Sequence, residues 1–248
     1  MPSTRSSLAR IAQPDPSRTG GIPLGVVSPF TDTSFKPSSW RPEKWRDADR
    51  LHYMSVSSHF PSVKMGRSIG CESTIENDMA CLLEVDAGVM SYREQPIGPS
   101  WHDGHGWKPG TARDFWVETA AGNVLIEVKE KKELDEFPEV RERLRAMIRS
   151  YHVQGVRMIV RTELSIRSGH RLDNCRILMR AVGGADPALD LAVRDAMRAL
   201  GSPATVADIR AAVDDDPGTL DAISRIVMAG DAAFDMNNPI DRFAEVSW

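Results

Sequence analysis

Apolar positions in the first half of the chain change their spacing near residue 88. Between residues 73 and 85 they recur at the three- and four-residue intervals of an amphipathic helix, which we expect to end near Gly88. Ser73 and Glu76 form a capping box, in which the hydroxyl accepts from the amide of residue 76 and the carboxylate reaches back to the cap. The pattern therefore predicts a helix, followed by elements of another kind.

Three short runs after this helix have the apolar or alternating pattern of strands, at 89–97, 114–119 and 123–129. Only residues 120–122 separate the second run from the third, which predicts an antiparallel hairpin. The Gly-, Pro- and His-rich stretch between the first and second runs predicts a mobile loop. It contains His102 and His105, for which a metal ligand role and an approach to DNA are both open.

A helix over 138–152 and a buried strand over 156–160 then complete the order of an α/β core. After Gly183 and Gly184 the composition shifts, and three helical stretches precede two short strand-like segments, which is the order of a winged helix. These helical stretches are predicted at 187–200, 205–213 and 217–229.

The first 50 residues are rich in Pro, Ser, Thr and Gly and predict an extended arm. Trp40, Trp45 and Tyr53 are large apolar groups that a solvated tail seldom needs, so we expect at least residues 38–60 to dock on another surface, which the sequence does not identify. The predicted organisation is an arm over 1–60, a core over 61–183 and a C-terminal domain over 187–248.

Composition excludes several classes of protein. Three cysteines cannot form a disulfide framework, and none of them stands at zinc-ligand spacing. The N-terminus lacks an apolar signal region, and no run of 18 apolar residues occurs that could cross a bilayer. We therefore expect a soluble cytoplasmic protein with no membrane partner.

The net charge of −4 would ordinarily argue against nucleic-acid binding, but it is unevenly distributed. Residues 1–70 carry +5 and residues 138–180 carry +6, whereas residues 71–137 carry −8 and residues 181–248 carry −7. The two basic blocks are candidate DNA surface. The acidic C-terminal block lacks a basic recognition helix and favours a protein partner.

Asp114, followed after twelve residues by Glu127, Val128 and Lys129, is the pattern with the most chemical content. Strand geometry puts Glu127 and Lys129 on one face, and a hairpin partner starting at Asp114 brings its carboxylate beside Glu127. The two carboxylates and the Val128 carbonyl suit Mg²⁺ or Mn²⁺, which would polarise a phosphodiester and activate a water molecule. The chain has 24 Arg and only 7 Lys, so a lysine at 129, suited to contact that water, is notable.

These residues resemble the TnsA-type transposon endonucleases, a branch of the PD-(D/E)xK restriction-endonuclease-like nucleases, over residues 61–165. The resemblance rests on Pro61–Arg67, Glu72 and Ser73 with Glu76, Val89 with Gln95 and Pro96, Asp114 with Phe115, and Ile126–Lys129. One departure is Arg113, which stands where the family usually has a proline that ligates nothing.

The resemblance implies a restriction-endonuclease-like core, a mixed sheet flanked by helices, with a mainly helical, winged-helix-like C-terminal domain. It implies Mg²⁺-dependent cleavage of double-stranded DNA at transposon ends, together with a transposase subunit and an AAA+ ATPase regulator that contacts the C-terminal domain. Residue by residue, Glu76 matches the helix glutamate, Asp114 and Glu127 match the metal-binding acids, and Lys129 matches the catalytic lysine.

Other interpretations stay open for several of these residues. The capping box alone accounts for Glu76, and Glu72 is its substitute as a third acid. The core could also serve a solitary phage or mobile-element nuclease, or a non-catalytic module that holds DNA and recruits partners. Basic side chains that could contact phosphates are Lys64, Arg67, Lys131, Lys132, Arg141, Arg145 and Arg149, of which the last three form a predicted stripe along one helix.

Overall fold

The computed structural model describes residues 40–46 and 58–248. The strands are β1 (Ser58–Ser62), β2 (Arg67–Cys71), β3 (Val89–Glu94), β4 (Trp101–His102), β5 (Trp107–Lys108), β6 (Phe115–Thr119), β7 (Gly122–Val128), β8 (Met158–Arg161), β9 (Ala204–Thr205), β10 (Ala233–Phe234) and β11 (Glu245–Ser247). The helices are α1 (Thr74–Val85), α2 (Lys131–Glu136), α3 (Pro138–Val153), α4 (Glu163–Ile166), α5 (Arg171–Ala181), α6 (Pro187–Leu200), α7 (Val206–Ala211) and α8 (Thr219–Met228).

The central sheet has the strand order β3-β6-β7-β8. The first three strands run antiparallel, and β8, which follows α3, pairs with β7 in parallel. Apolar residues that alternate along β6 and β7 divide between two cores: Phe115 and Ile126 pack in the core with α1, whereas Trp116 and Leu125 pack in the core with α3. The predicted mixed α/β core is confirmed at this level.

Helix α1 is fixed at both ends. The Ser73 hydroxyl accepts from the Glu76 amide at 3.1 Å, so the predicted cap is confirmed. At the other end the Lys64 ammonium donates to the carbonyls of Leu83 (2.9 Å) and Asp86 (2.7 Å), which satisfies groups that a helix end leaves without a partner. The helix that carries Glu76 is therefore held in position from the β1–β2 hairpin.

The β1–β2 hairpin was not expected from the sequence. A buried carboxylate attaches it to α1 and the sheet, because Glu84 accepts from the Ser62 hydroxyl (2.6 Å), the Lys64 amide (2.7 Å) and the Tyr92 hydroxyl (2.7 Å). Glu84 is only 2% exposed, so these bonds replace the water that the charge has lost.

The predicted docking of the arm is confirmed for the part of it that the structure describes. The Trp40 ring packs edge-on against Trp116 with centroids 5.4 Å apart, and Trp45 forms a backbone bridge with Pro96. Tyr53 and most of the predicted arm lie outside the described residues. The predicted mobile loop contains the β4–β5 hairpin instead, which is anchored by the buried side chain of Trp101.

The C-terminal part contains α6, α7 and α8 and a small antiparallel sheet of order β10-β11-β9. Helix α5, which the sequence pattern did not predict, packs into two cores: Leu172 and Cys175 contact the core with α1, and Leu178 contacts the core of the C-terminal helices. The predicted division near residues 183–187 stays a prediction. Across the described ranges, none of the helices has the length and apolarity needed to cross a membrane.

Candidate active site

Asp114 is attached to the strand that carries Glu127. Its amide donates to the Ile126 carbonyl at 3.1 Å, and its carboxylate accepts from the Val128 amide at 2.5 Å. These two bonds join Asp114 to the residues on either side of Glu127, so the predicted neighbourhood of Asp114 and Glu127 is confirmed. On its other side, the Asp114 carbonyl accepts from the Gln95 amide at 3.0 Å.

Glu127 lies between two cations and is only 6% exposed. Its Oε2 accepts from Arg113 Nη1 at 2.9 Å, and its Oε1 lies 3.5 Å from Lys129 Nζ. The second distance confirms that Glu127 and Lys129 project from the same side of β7, as strand alternation predicts. The first distance involves Arg113, for which the sequence predicts no role in the site.

Arg113 reaches Glu127 because the chain before β6 is paired with the chain that follows β3. The Arg113 amide donates to the Pro96 carbonyl at 2.8 Å, and the Gly98 amide donates to the Thr111 carbonyl at 3.0 Å. A proline at position 113 would lose the first of these bonds. The arginine therefore adds both a backbone bond and a buried ion pair.

Glu76 approaches the same region from α1 and is 8% exposed. Its carboxylate accepts from the Glu72 amide and from the Ser73 hydroxyl, each at 2.9 Å. The carboxylate therefore bonds to the amide one residue before the cap and to the cap hydroxyl, where the predicted capping box had the amide of Ser73. A role of Glu76 toward a metal ion stays a prediction. The proposed substitute, Glu72, is engaged by Arg46 at 2.5 Å.

The carboxylates influence one another electrostatically. Burial, together with the charges of Glu127 and Glu76, raises the pKa of the Asp114 carboxyl well above its ordinary value. Burial also raises the pKa of Glu76, and the charge of Lys129 acts in the opposite direction. Negative charge is therefore concentrated at this end of the sheet, which is the condition that a bound cation relieves.

The chain matches no protein-family model and no curated protein.

The donor set fits a magnesium ion. Among residues 40–46 and 58–248, no three His, Cys, Asp or Glu side chains form a group that could hold a metal. Mg²⁺ ordinarily binds through one or two carboxylates, keeps several water molecules and takes the rest of its ligands from a substrate phosphate. Asp114 and Glu127 are two such carboxylates, although Arg113 occupies one oxygen of Glu127.

Replacing Asp114 by Asn should stabilise the metal-free protein at neutral pH. When folding raises the pKa of an acid, the protein loses stability as the pH rises from the pKa of the unfolded state to the pKa of the folded state. In that range the native state binds more protons than the unfolded state does. Asn avoids this cost and its carbonyl can still accept from Val128. We expect a gain of about 0.5–2 kcal/mol near neutral pH.

Thermal denaturation in EDTA measures this gain for wild type and Asp114→Asn. The difference should shrink as the pH falls toward 3.8, the ordinary pKa of the group. If the melting temperature of Asp114→Asn at neutral pH were equal to or lower than that of the wild type, a raised pKa of Asp114 in the folded protein would be contradicted.

The first two predicted phosphate contacts are bound within the protein. Lys64 caps α1, and burial lowers the pKa of its ammonium group to about 8. Arg67 donates through both terminal nitrogens to Glu94, each at 2.6 Å. The structure gives these two cations structural roles, which sequence spacing alone could not distinguish from DNA contacts.

Most of the other predicted phosphate contacts are also paired. Lys131 pairs with Asp135, Lys132 with Glu136 (3.8 Å) and Arg145 with Glu142 (2.7 Å). Arg141 turns toward α2, where its Nη1 contacts the Leu134 carbonyl at 3.5 Å and its Nε is buried without a partner. The predicted stripe of three arginines is thus not a continuous free surface: Arg145 and Arg149 are exposed, and Arg145 is paired with Glu142.

Gln95 and Arg46 also contribute to the site without having been predicted. Gln95 directly follows β3, is 2% exposed and has a φ of 54°, which is unusual for a residue other than glycine. Its side-chain oxygen accepts from Arg46 Nε (2.9 Å) and Nη2 (2.5 Å). Arg46 thereby connects the docked arm segment to the residue next to Asp114.

Proposed function

We propose that this protein is a metal-dependent DNA endonuclease with a restriction-endonuclease-like core. The observation that carries the proposal is the placement of Asp114, which bonds to the backbone on both sides of Glu127, with Lys129 3.5 Å from the Glu127 carboxylate. Two acids and one lysine at a strand end are the groups that metal-assisted phosphodiester hydrolysis requires.

The order of elements supports this fold. Helix α1, the antiparallel strands β3, β6 and β7, helix α3 and the parallel strand β8 follow one another in the order that the family resemblance implies. We assign α6 to α8 with the sheet β10-β11-β9 to a winged-helix-like domain.

In this proposal Asp114 and Glu127, with the Val128 carbonyl, would hold Mg²⁺, and Mn²⁺ would substitute. The ion, when bound, supplies Lewis-acid stabilisation of the charge that develops on the phosphodiester oxygens. Lys129 positions the attacking water and offsets negative charge in the transition state. Glu76, held by its cap bonds, adds negative charge that tunes the pKa of its neighbours.

The biological setting that we favour is a transposition assembly acting on double-stranded DNA in the cytoplasm. A transposase subunit would cut the other strand, and an AAA+ ATPase regulator would contact the C-terminal domain. The C-terminal surface supports a protein partner because residues 181–248 carry 5 basic and 12 acidic residues, and Phe243 is 64% exposed there.

One observation favours a second candidate, a non-catalytic module that holds DNA and recruits partners. Arg113 occupies the Oε2 atom of Glu127, which a metal ligand would need to offer. In a protein that never binds a metal ion at this site, Arg113 would permanently compensate the buried charge of Glu127.

Nicking of supercoiled plasmid by the chain together with its transposase partner distinguishes the two candidates. We expect nicking with Mg²⁺, loss of nicking in EDTA, and recovery when excess Mg²⁺ or Mn²⁺ is added. A complete assembly in which the strand assigned to this protein is cut equally well in EDTA would contradict the metal-dependent enzyme. A complete assembly that binds DNA but never nicks this strand would support the holding module.

A further inference from the structure

A cleft of about 690 Å³ lies between the β4–β5 hairpin and α3. Its wall includes Thr111 and Arg113, from the chain that enters β6, and Arg143 and Arg149 from α3. Arg113 also belongs to the candidate active site, because its Nη1 donates to Glu127 at 2.9 Å. One side chain therefore connects the cleft with the acidic site.

The cleft carries positive charge that is not compensated. Its two acids, Asp103 and Glu142, are each engaged in an ion pair with a neighbouring cation, at 3.1 and 2.7 Å. Arg143 and Arg149 are exposed, and neither has an ion-pair partner among the residues that the structure describes. Guanidinium groups bind phosphate through paired N–H donors, so the cleft fits the backbone of a DNA strand.

The Arg113 guanidinium has one edge toward Glu127 and another toward the cleft. Only Nη1 bonds to Glu127, whereas Nη2 bonds to the Thr111 hydroxyl and Nε lies 3.4 Å from the Thr111 carbonyl. Thr111 is exposed in the cleft wall. A phosphate in the cleft can therefore bond to Arg113 on the Thr111 side and compete with Glu127 for its charge.

We propose that the cleft binds a backbone phosphate of DNA, and that this phosphate draws Arg113 away from Glu127 and frees the Glu127 carboxylate for the metal ion. This inference rests on the proposed function and adds a coupling of substrate binding to metal binding. Without DNA, Arg113 neutralises Glu127 and competes with the metal. With DNA, the guanidinium has another anion, so DNA and metal bind cooperatively.

Mn²⁺ titration followed by electron paramagnetic resonance tests the coupling without any cleavage measurement. Full-length protein is titrated alone and with a short DNA duplex that carries phosphorothioate linkages. We expect the duplex to tighten Mn²⁺ binding by about tenfold, and linkage requires Mn²⁺ to tighten duplex binding by the same factor. Arg113→Met should bind Mn²⁺ tightly without DNA and show no further gain with it.

The double variant Arg143→Gln/Arg149→Gln keeps the test decisive if Arg113→Met fails to fold. Both arginines are exposed and outside the acidic site, so Mn²⁺ binding without DNA should be unchanged, while the gain on adding duplex should disappear. Duplex binding should also become less sensitive to salt. The magnitude of the slope of log K against log salt concentration should fall by about 0.9 for each phosphate contact that is lost. Arg198→Gln, at an exposed arginine that pairs with Asp195 and does not line the cleft, is the matched control and should retain the gain.

The outcomes separate this inference from the proposed function. If wild type binds Mn²⁺ with equal affinity with and without duplex, the coupling is overturned while the metal site stands. If no form binds Mn²⁺ under any condition, the proposed metal-dependent enzyme fails, and the coupling fails with it. A gain that persists in Arg143→Gln/Arg149→Gln would overturn the assignment of the phosphate to this cleft.

Discussion

Cleavage by Asp114→Asn is expected to be at least about 10³-fold slower than cleavage by the wild type, because the proposed function makes Asp114 a metal-holding carboxylate. Its removal then costs several kcal/mol of transition-state stabilisation, and each 1.36 kcal/mol is tenfold in rate. The substitution keeps the size of the side chain and the bond from the Val128 amide. Single-turnover nicking by the assembly that contains the transposase partner measures the effect.

The same variant should be more stable than the wild type in EDTA, so a loss of cleavage cannot be assigned to misfolding. Asp135→Asn is the matched control, since this exposed acid pairs with Lys131 across one turn of α2 and should leave the rate within about twofold. If an assembly that contains Asp114→Asn nicked DNA at the wild-type rate, the proposal that this protein is a metal-dependent endonuclease would be contradicted.

Arg113→Ala is expected to destabilise the protein by about 3 kcal/mol. Removing one partner of a buried ion pair leaves an uncompensated charge, which typically costs 3–5 kcal/mol, and the remaining contact of Glu127 with Lys129 favours the lower end of that range. Urea denaturation at neutral pH in EDTA gives the free energy of unfolding.

A second substitution should reverse most of this loss. Arg113→Met combined with Glu127→Gln removes both charges, and such replacements of buried pairs are often close to neutral. Arg198→Ala breaks the exposed pair with Asp195 and should cost less than about 1 kcal/mol. If Arg113→Ala cost no more than Arg198→Ala, the Arg113–Glu127 pair would not be the stabilising contact described above.

Local patterns were sufficient to predict the elements around the site. The capping box located the start of α1 because Ser73 and Glu76 are within one turn of each other. A hairpin partner that starts at Asp114 brings this residue beside Glu127, and the observed register, with Thr119 opposite Gly122 and Phe115 opposite Ile126, has a turn of two residues where three were predicted. Strand alternation then placed Lys129 beside Glu127.

Residues whose partners are distant in sequence could not be predicted in this way. Arg46 bonds to Gln95, 49 residues away, and the composition of the arm contains no signal for that contact. Arg113 did carry a signal, because a charged residue two positions before a buried strand needs a partner and Glu127 is the buried acid on the neighbouring strand.

Helix α5 escaped prediction because a polar residue occupies one of its core positions. Asn174 is 1% exposed and interrupts the apolar spacing, yet its amide bonds to the carbonyls of Met236 (3.2 Å) and Asn238 (2.7 Å) and its oxygen accepts from the Ile240 amide (3.0 Å). Three backbone groups of a distant loop thus satisfy a side chain that sequence periodicity assigns to solvent.

The position of α5 makes this chain difficult to divide. A cut at the Gly183–Gly184 turn would leave Leu178 and Asn174 on the N-terminal piece without the C-terminal helices and loop that cover them. Because α5 also packs on α1 through Cys175, one helix joins the core of the C-terminal helices to the helix that carries Glu76.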